Sequence, residues 1–567
     1  MKSRLSEIIN FACKQAKDKG QLPADLELPP IVLEAPRQAE HGDLACSLAM
    51  QMAKPARMNP RQAAQIIIDN LPLDQPLIDK VEIAGPGFIN FFIKHSAWLA
   101  TVNNIVKEGD SFGLNQSGAG KKVMVEYVSA NPTGPLHVGH GRGAALGDVI
   151  ARLLRANGYE ALTEYYLNDA GNQMATLGRS VIYRAREIMG DHAPFPAEHY
   201  QGDYIFDLAA AYLRLPEIKS QLPEDEKAVA RQLEAWAADP AAPQLALATR
   251  MAADNILKGI KGDLADFGIV IENYFSEKSL LQDGAIEEVF ERLRQAGLLY
   301  ESEGALWFAS SRLGDDKDRV VRRGNGELTY FASDIAYHLN KLKRGFTRLI
   351  DVWGADHHGY VARVKAALQG LGQEEDDLVV VLVQMVRLLR AGAPVPMSTR
   401  GGQFVTLNEV VQEVGPDSAR FIFLSRRSDV GLDFDLEVAK QKSMDNPVFY
   451  VQYAHTRVCS LQRKAKEINL PDSFDLNLLE LPEEVTIAKL LSQYPTVVYE
   501  AALNLEPHRI TYFLREVAQM FHSYYNDKPI LQASENLAAT RLALVGALAQ
   551  VLKNGLQLLG ITAPEYM

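Results

Sequence analysis

The residues best suited to chemistry lie between positions 129 and 142. Two histidines three apart, His137 and His140, stand in the run HVGH, with ANPTGPL ahead of it and Gly139 and Gly141 interleaved. A β-branched stretch, Lys122–Val128, comes before them, and apolar residues at helical spacing (Leu146, Val149, Ile150, Leu153, Leu154) follow. The histidines therefore fall on the first turn of a helix leaving the carboxyl end of a strand, where main-chain N–H groups favour anions. Both imidazoles can face the phosphates of a nucleotide there. The glycines allow close approach of backbone to ligand, and Pro132 and Pro135 stiffen the approach to the turn.

Two other nucleotide motifs nearly fit. GHGRGA (Gly139–Ala144) matches G-x-G-x-x-A, with Glu164 about twenty residues on, but that fingerprint must follow its strand at once, and SANPTGPLHV intervenes. GAGKK (Gly118–Lys122) lacks the spacing and the Ser/Thr of a phosphate loop and precedes a strand, so it reads as a linker.

The elements that position HVGH follow from periodicity. The helix after it ends at Asn157–Gly158, and a second strand, Ala161–Leu167, completes a βαβ unit of a parallel sheet. The alternation resumes with a strand at Phe346–Trp353, a helix at Gly359–Gly370 and an apolar strand at Leu378–Val386. Between the two halves, Asp191 to about Ile260 is helical and charged and reads as an insertion. Ahead of the sheet stand helical patterns at Leu5–Ala16 and Arg61–Asn70 and a β-like run at Val81–Ile93; beyond Asn446 only helical periodicity remains. The expected fold is α/β: a doubly wound, Rossmann-like parallel core over residues 120–400 with an insertion around 190–300. A small α+β unit at 1–110, a connecting segment at 401–445 and an all-α bundle at 446–567 complete it.

Composition agrees with a large soluble protein. The 567 residues are 47% hydrophobic and 23% charged, which excludes disordered, collagen-like and coiled-coil classes. A net charge of −12 gives no overall basic excess, though a local basic groove is compatible with it. No apolar run approaches the ~20 residues that cross a bilayer. Cys13, Cys46 and Cys459 are odd in number and form no CxxC pair, so reduced thiols in the cytosol and no structural zinc are expected.

The block VEYVSANPTGPLHVGHGRGAALGDVIARLLRANGY, followed by YYLNDAGNQ (Tyr165–Gln173), TYFASDIAYH (Thr329–His338), WGADHHGY (Trp353–Tyr360), MSTRGGQFVTL (Met397–Leu407) and NPVFYVQYAHTR (Asn446–Arg457), resembles the arginine–tRNA ligase family of class I synthetases. HGDLACSLAM near residue 41 is similar to that family's N-terminal domain. The resemblance implies ATP-dependent formation of arginyl-adenylate and transfer of arginine to the terminal adenosine of tRNA(Arg), with Mg²⁺ accompanying ATP, in a cytoplasmic monomer. By the same resemblance His137 and His140 are catalytic, and Pro135, Gly139, Gly141, Arg142, Asp356 and His357 serve ATP. Glu126, Ser129, Asn131, Tyr330 and Asp334 line the arginine pocket; a guanidinium is suited to planar, bidentate carboxylate partners. Tyr450, Tyr453, Arg457, Tyr524 and Asn526 face the anticodon, and the N-terminal domain touches the outer corner of the tRNA.

One departure stands out. The mobile class I loop normally reads KMSKS, whereas here PVPMSTRGGQ holds no lysine. Met397, Ser398 and Arg400 are expected to act in its place, Arg400 being the first candidate for the basic group at the pyrophosphate and Arg142 the second. Arg binds phosphate as a planar fork, Lys as a point charge. The lysine-free loop is the one feature that would suit a catalytically silent RNA-binding relative; a synthetase for another amino acid is the other alternative.

Overall fold

The computed structural model describes residues 1–36, 38–72, 75–191, 193–395 and 405–567. Its core sheet has five strands, all parallel: β1 (Lys122–Glu126), β2 (Glu160–Leu167), β3 (Asn273–Ser276), β4 (Arg348–Gly354) and β5 (Leu378–Val383). Their spatial order is β5-β4-β1-β2-β3. The chain builds outward from β1 in one direction and then returns to its other side, so the order reverses between β1 and β4. Ligands of open parallel sheets bind outside the carboxyl ends at such a reversal.

Helix α1 (Val138–Ala156) joins β1 to β2 and is buried along most of its length; Gly147 lets the ring of Tyr127 lie against it, where a Cβ would come within 2.2 Å. Helix α2 (Tyr330–Lys343) leads into β4. The insertion between β2 and β3 is helical, with Tyr204–Arg214, Glu226–Ala238 and Pro243–Asp266 as its main helices. Between β3 and α2 lies a three-stranded antiparallel sheet (Leu299–Ser302, Ala305–Phe308, Arg319–Arg322) that the sequence pattern did not announce. Its strands are four residues each, too short for a clear two-residue period, and its hairpin turns through Glu303 and Gly304, both left-handed.

The apolar run Leu378–Val386, expected as one strand, is two. Leu378–Val383 closes the parallel sheet, while Val386–Arg390 pairs with Ala393–Pro394 and Leu432–Asp435 in a separate small sheet. The run Val81–Ile93 is likewise a hairpin, Ile78–Ala84 with Phe88–Ile93, turned at Gly85 and Gly87 within a four-stranded antiparallel N-terminal sheet.

The C-terminal bundle consists of α3 (Pro447–Glu467), helices Pro482–Leu491 and Tyr494–Leu503, α4 (His508–Asp527) and α5 (Glu535–Leu558). The N-terminal unit docks on it: Lys489 pairs with Asp43 at 2.6 Å, Lys553 with Asp110 at 2.8 Å, and Asn554 donates to the Gly109 carbonyl at 2.9 Å. Buried Arg420 ties bundle to core, pairing with Asp148 of α1 and donating to the carbonyls of Phe267 and Leu559. All three cysteines are free thiols. Among the described residues no helix is long and apolar enough to cross a membrane.

Candidate active site

His137 is the N-cap of α1. Its Nδ1 accepts the main-chain N–H of Gly139 at 3.1 Å, and Nδ1 of His140 accepts the main-chain N–H of His137 at 3.2 Å. A capping box usually built from hydroxyls and carboxylates is here built from imidazoles. Because each Nδ1 is an acceptor, the proton of the neutral ring sits on Nε2, and each ring becomes an Nε2–H donor. Burial lowers the pKa of both; burial together with His137 takes His140 down to about 3. Both rings are therefore neutral Nε2–H donors. Gly139 is required by the cap itself, since a Cβ would come within 2.9 Å of the His137 ring.

The loop between β1 and α1 is strained and held from two sides. Val128 and Ser129 adopt φ of 69° and 41°, costly for non-glycine residues and typical of positions that a functional site over-determines. Tyr165 donates to the Ala130 carbonyl and Tyr204, from the insertion, to that of Thr133, both at 2.6 Å. Asn131, Thr133, Pro135, His137 and His140 line one wall of a cavity of about 570 Å³, and His199, Tyr200, Gln201, Gly202 and Tyr204 line the other. Just past residue 404, Val405 and Leu407 hydrogen-bond to Val138 and Leu136, so the chain leaves the signature loop directly beside the histidines.

Across the reversal, three acids stand in register on adjacent strands: Asp351 on β4, Glu126 on β1 and Glu164 on β2. Helix α2 and the turn after it supply their partners. Lys341 pairs with Glu126 at 2.6 Å and Asp351 at 2.9 Å, and Arg344 and Tyr337 bind Glu164. His338 lies 3.0 Å from Asp351. Burial opposes ionisation of Asp351, but Lys341 and His338 outweigh it and hold the carboxyl at about 2; burial pushes Glu126 up against the pull of Lys341. Ser129 donates to Glu126 at 2.9 Å and accepts from the main-chain N–H of Tyr166.

One helical turn before His338, Asp334 accepts the hydroxyl of Tyr360. It shares its surroundings with Glu277, which the sequence reading missed: Asp334 acts electrostatically on Glu277, and both act on Tyr166. Oε2 of Glu277 and the Tyr166 hydroxyl are buried with no hydrogen-bond partner. Among the described residues neither Glu277 nor Asp334 forms an ion pair, and burial raises the pKa of each. Tyr330, 60% exposed, stands near Gly171 at the mouth. Glu277 and Asp334, neither in an ion pair among the described residues, stand together beside Tyr166, and the imidazole donors line the cavity of the neighbouring loop.

Comparison with known proteins decides the family. Residues 3–93 match the arginyl tRNA synthetase N terminal domain, 101–430 the class I (R) tRNA synthetase catalytic domain and 451–567 the DALR anticodon binding domain. The arginine–tRNA ligase of Desulfosudis oleivorans is 53% identical over 573 residues, covering 100% of both chains. That of Citrifermentans bemidjiense is 52% identical, covering 95% of this chain and 96% of its own. The chain belongs to the arginyl-tRNA synthetase family. The Thermus thermophilus arginyl-tRNA synthetase, 24% identical with a TM-score of 0.74 and 100% coverage of both chains, has the same fold. Membership makes this synthetase an aminoacyl-tRNA ligase with ATP, arginine and tRNA(Arg) as substrates and a tRNA-binding DALR domain.

Not every expected contact of the synthetase stands where a ligand could use it. Arg142 is buried, and its guanidinium donates to the carbonyls of Gln384, Arg427 and Val430 at 2.8–2.9 Å; it braces α1 and is not available to the pyrophosphate. Gly141 serves packing, since a Cβ there would come within 2.6 Å of Leu407. Asp356 and His357 are exposed on the short helix after β4. Met397, Ser398 and Arg400 lie outside the described residues. In the bundle, Tyr453 stacks on Phe449 and His522, and Arg457 lies over the rings of Tyr453 and Tyr525 at 4.8 and 4.5 Å; Tyr450 is tilted against His522. Asn526 is exposed beside this array. Tyr524 is not part of it: buried, it donates to Glu484, which also pairs with Arg541, and it belongs to the bundle core.

Proposed function

We propose that arginine binds with its guanidinium between Glu277 and Asp334, under Tyr330 and Tyr166, and with its carboxylate directed to the cavity at His137 and His140. The observation that carries this is the pair of largely enclosed carboxylates that form no ion pair among the described residues, an arrangement whose desolvation a cationic ligand would offset. Glu126, Ser129 and Asn131 form the floor and rim toward the α-ammonium group. ATP lies along Pro135, Gly139 and the first turn of α1, with Asp356 and His357 at its far edge. His137 and His140 donate from Nε2 to the phosphates, and Arg400, with Met397 and Ser398, supplies the charge at the pyrophosphate.

The arginine carboxylate attacks the α-phosphorus in line, forming the acyl-phosphate bond as the bond to pyrophosphate breaks. The terminal adenosine hydroxyl of the tRNA then attacks the carbonyl carbon and AMP leaves. The residues contribute orientation and preset donors, not covalent steps. Mg²⁺ would neutralise phosphate charge, brought with the phosphates of ATP. Tyr450, Tyr453, Arg457 and Asn526 read anticodon bases by stacking and edge contacts. The enzyme works as a cytoplasmic monomer.

ATP–pyrophosphate exchange with each of the twenty amino acids, with and without tRNA, tests the reading. Exchange is expected with arginine alone and only when tRNA is present. Glu277→Gln and Asp334→Asn should each raise the KM for arginine about 100-fold, the scale of losing one charged partner. Unchanged KM in both variants would move the guanidinium elsewhere. Folded protein that binds tRNA but exchanges with no amino acid would point to a silent relative.

A further inference from the structure

The row of register-paired acids has a property that the proposed chemistry does not use. Asp351 and Glu126 are direct neighbours on adjacent parallel strands, about 4.8 Å apart at the backbone, and both are buried. Lys341, itself fully buried, sits between them and lies 4.3 Å from the centre of the Tyr337 ring. It shares a helical face with Asp334, two turns earlier on α2. From Lys341 the contacts run in an unbroken chain: its ammonium to Glu126, Glu126 to the Ser129 hydroxyl, and Ser129 to the main-chain N–H of Tyr166, whose ring stands beside Glu277 and Asp334, the proposed arginine recess. Ser129 stands at one of the strained loop positions, so its conformation depends on that anchor.

We infer that Lys341 is a positioning residue for arginine: it never meets the substrate, but it fixes Glu126, and through Glu126 the Ser129–Tyr166 side of the recess. This rests on the assignment of arginine to the recess beside Asp334. A lysine serving only to stabilise the sheet would affect arginine and ATP alike. One that acts through Glu126 affects arginine selectively, and its effect on arginine disappears once Glu126 is replaced, leaving only its pair with Asp351.

The test is a cycle of Lys341→Met, Glu126→Gln and the double variant, read as KM for arginine and for ATP and as kcat in tRNA-dependent exchange. Lys341→Gln, which is shorter by one bond and removes the charge that holds Glu126, stands in if the Met variant does not fold. The expected result is a tenfold or larger rise in KM for arginine from either Lys341 variant, with KM for ATP and kcat within about twofold of the parent. In the Glu126→Gln background the Lys341 change should add nothing, the non-additivity that marks residues acting in one chain. Parallel rises in both KM values, multiplicative single effects, or an unchanged arginine KM would each overturn the inference. Asp334→Asn separates the two levels. If it leaves arginine KM unchanged, the recess assignment fails; if it raises KM while the Lys341 variants do not, only the role of Lys341 fails.

Discussion

The imidazoles of His137 and His140 stack with centroids 3.7 Å apart, each with its Nδ1 accepting a main-chain N–H of the first turn of α1. The helix start thereby fixes both tautomers and makes each ring an Nε2–H donor. With the proposed role at the phosphates, His140→Ala is expected to lower kcat by about 10²-fold or more while leaving tRNA affinity within about twofold. His140→Asn, which can keep the cap but not the Nε2 donor, should restore stability and not rate. Filter binding and single-turnover rates on the same preparations decide this; equal losses in both would place the phosphates elsewhere.

The same burial sets a pH dependence of stability. In the unfolded chain His140 takes up a proton near pH 6.5, and in the folded one not until about pH 3. Below pH 6.5 the unfolded state therefore binds more protons, and stability falls with pH across that window, by at most about 1.4 kcal/mol per unit for this group. Burial also lowers His137, His199, His455, His508 and His522, so they add to the slope with the same sign. Denaturation midpoints between about pH 7 and 5 should fall less steeply in His140→Asn than in the parent. Parallel slopes would show that His140 is not held neutral by its site.

Arg142 makes a prediction opposite to the one its motif suggests. Replacement by Met removes the donors from three carbonyls and should destabilise the protein by about 3 kcal/mol or more, the scale of several buried groups left unpaired. KM for ATP should stay within about twofold at a temperature where the variant is folded. A large rise in that KM without loss of thermal stability would return Arg142 to the nucleotide.

These cases show which parts of the molecule can be read from sequence. The strand, loop and helix around HVGH are legible because periodicity, glycines and prolines all act within a few residues of one another. The bracing position of Arg142 is not legible because sequence displays its charge and not the carbonyls of Gln384, Arg427 and Val430, which reach it only in the fold. Glu277 and Lys341 were missed for a related reason. Each is one acid or base on an ordinary helix, and its neighbours, Asp334 and Tyr166 for Glu277 and Glu126 and Asp351 for Lys341, come to it only in the fold. The run Leu378–Val386 misleads differently: its apolar character persists on both sides of Gln384, while the sheet partner changes there from β4 to the strand Leu432–Asp435.

Tyr453 and Tyr524 bring the same distinction to the bundle. Both are tyrosines on helices that pack together, and both fit an anticodon-facing role by sequence. Tyr524 is 3% exposed with its hydroxyl on Glu484, whereas Tyr453 is half-buried, stacked on Phe449 and covered by the Arg457 guanidinium. Tyr524→Phe should therefore cost about 1–2 kcal/mol of bundle stability by orphaning part of the Glu484–Arg541 network, with tRNA affinity unchanged. Tyr453→Ala should weaken tRNA binding about tenfold, as loss of one base–aromatic stack does, with little change in melting. Arg457→Ala should do the same and also flatten the salt dependence of binding, since Arg457 adds a cation to the stack. Melting curves and tRNA titrations at two salt concentrations separate the two tyrosines, and a tRNA defect in Tyr524→Phe as large as that in Tyr453→Ala would put Tyr524 back at the anticodon.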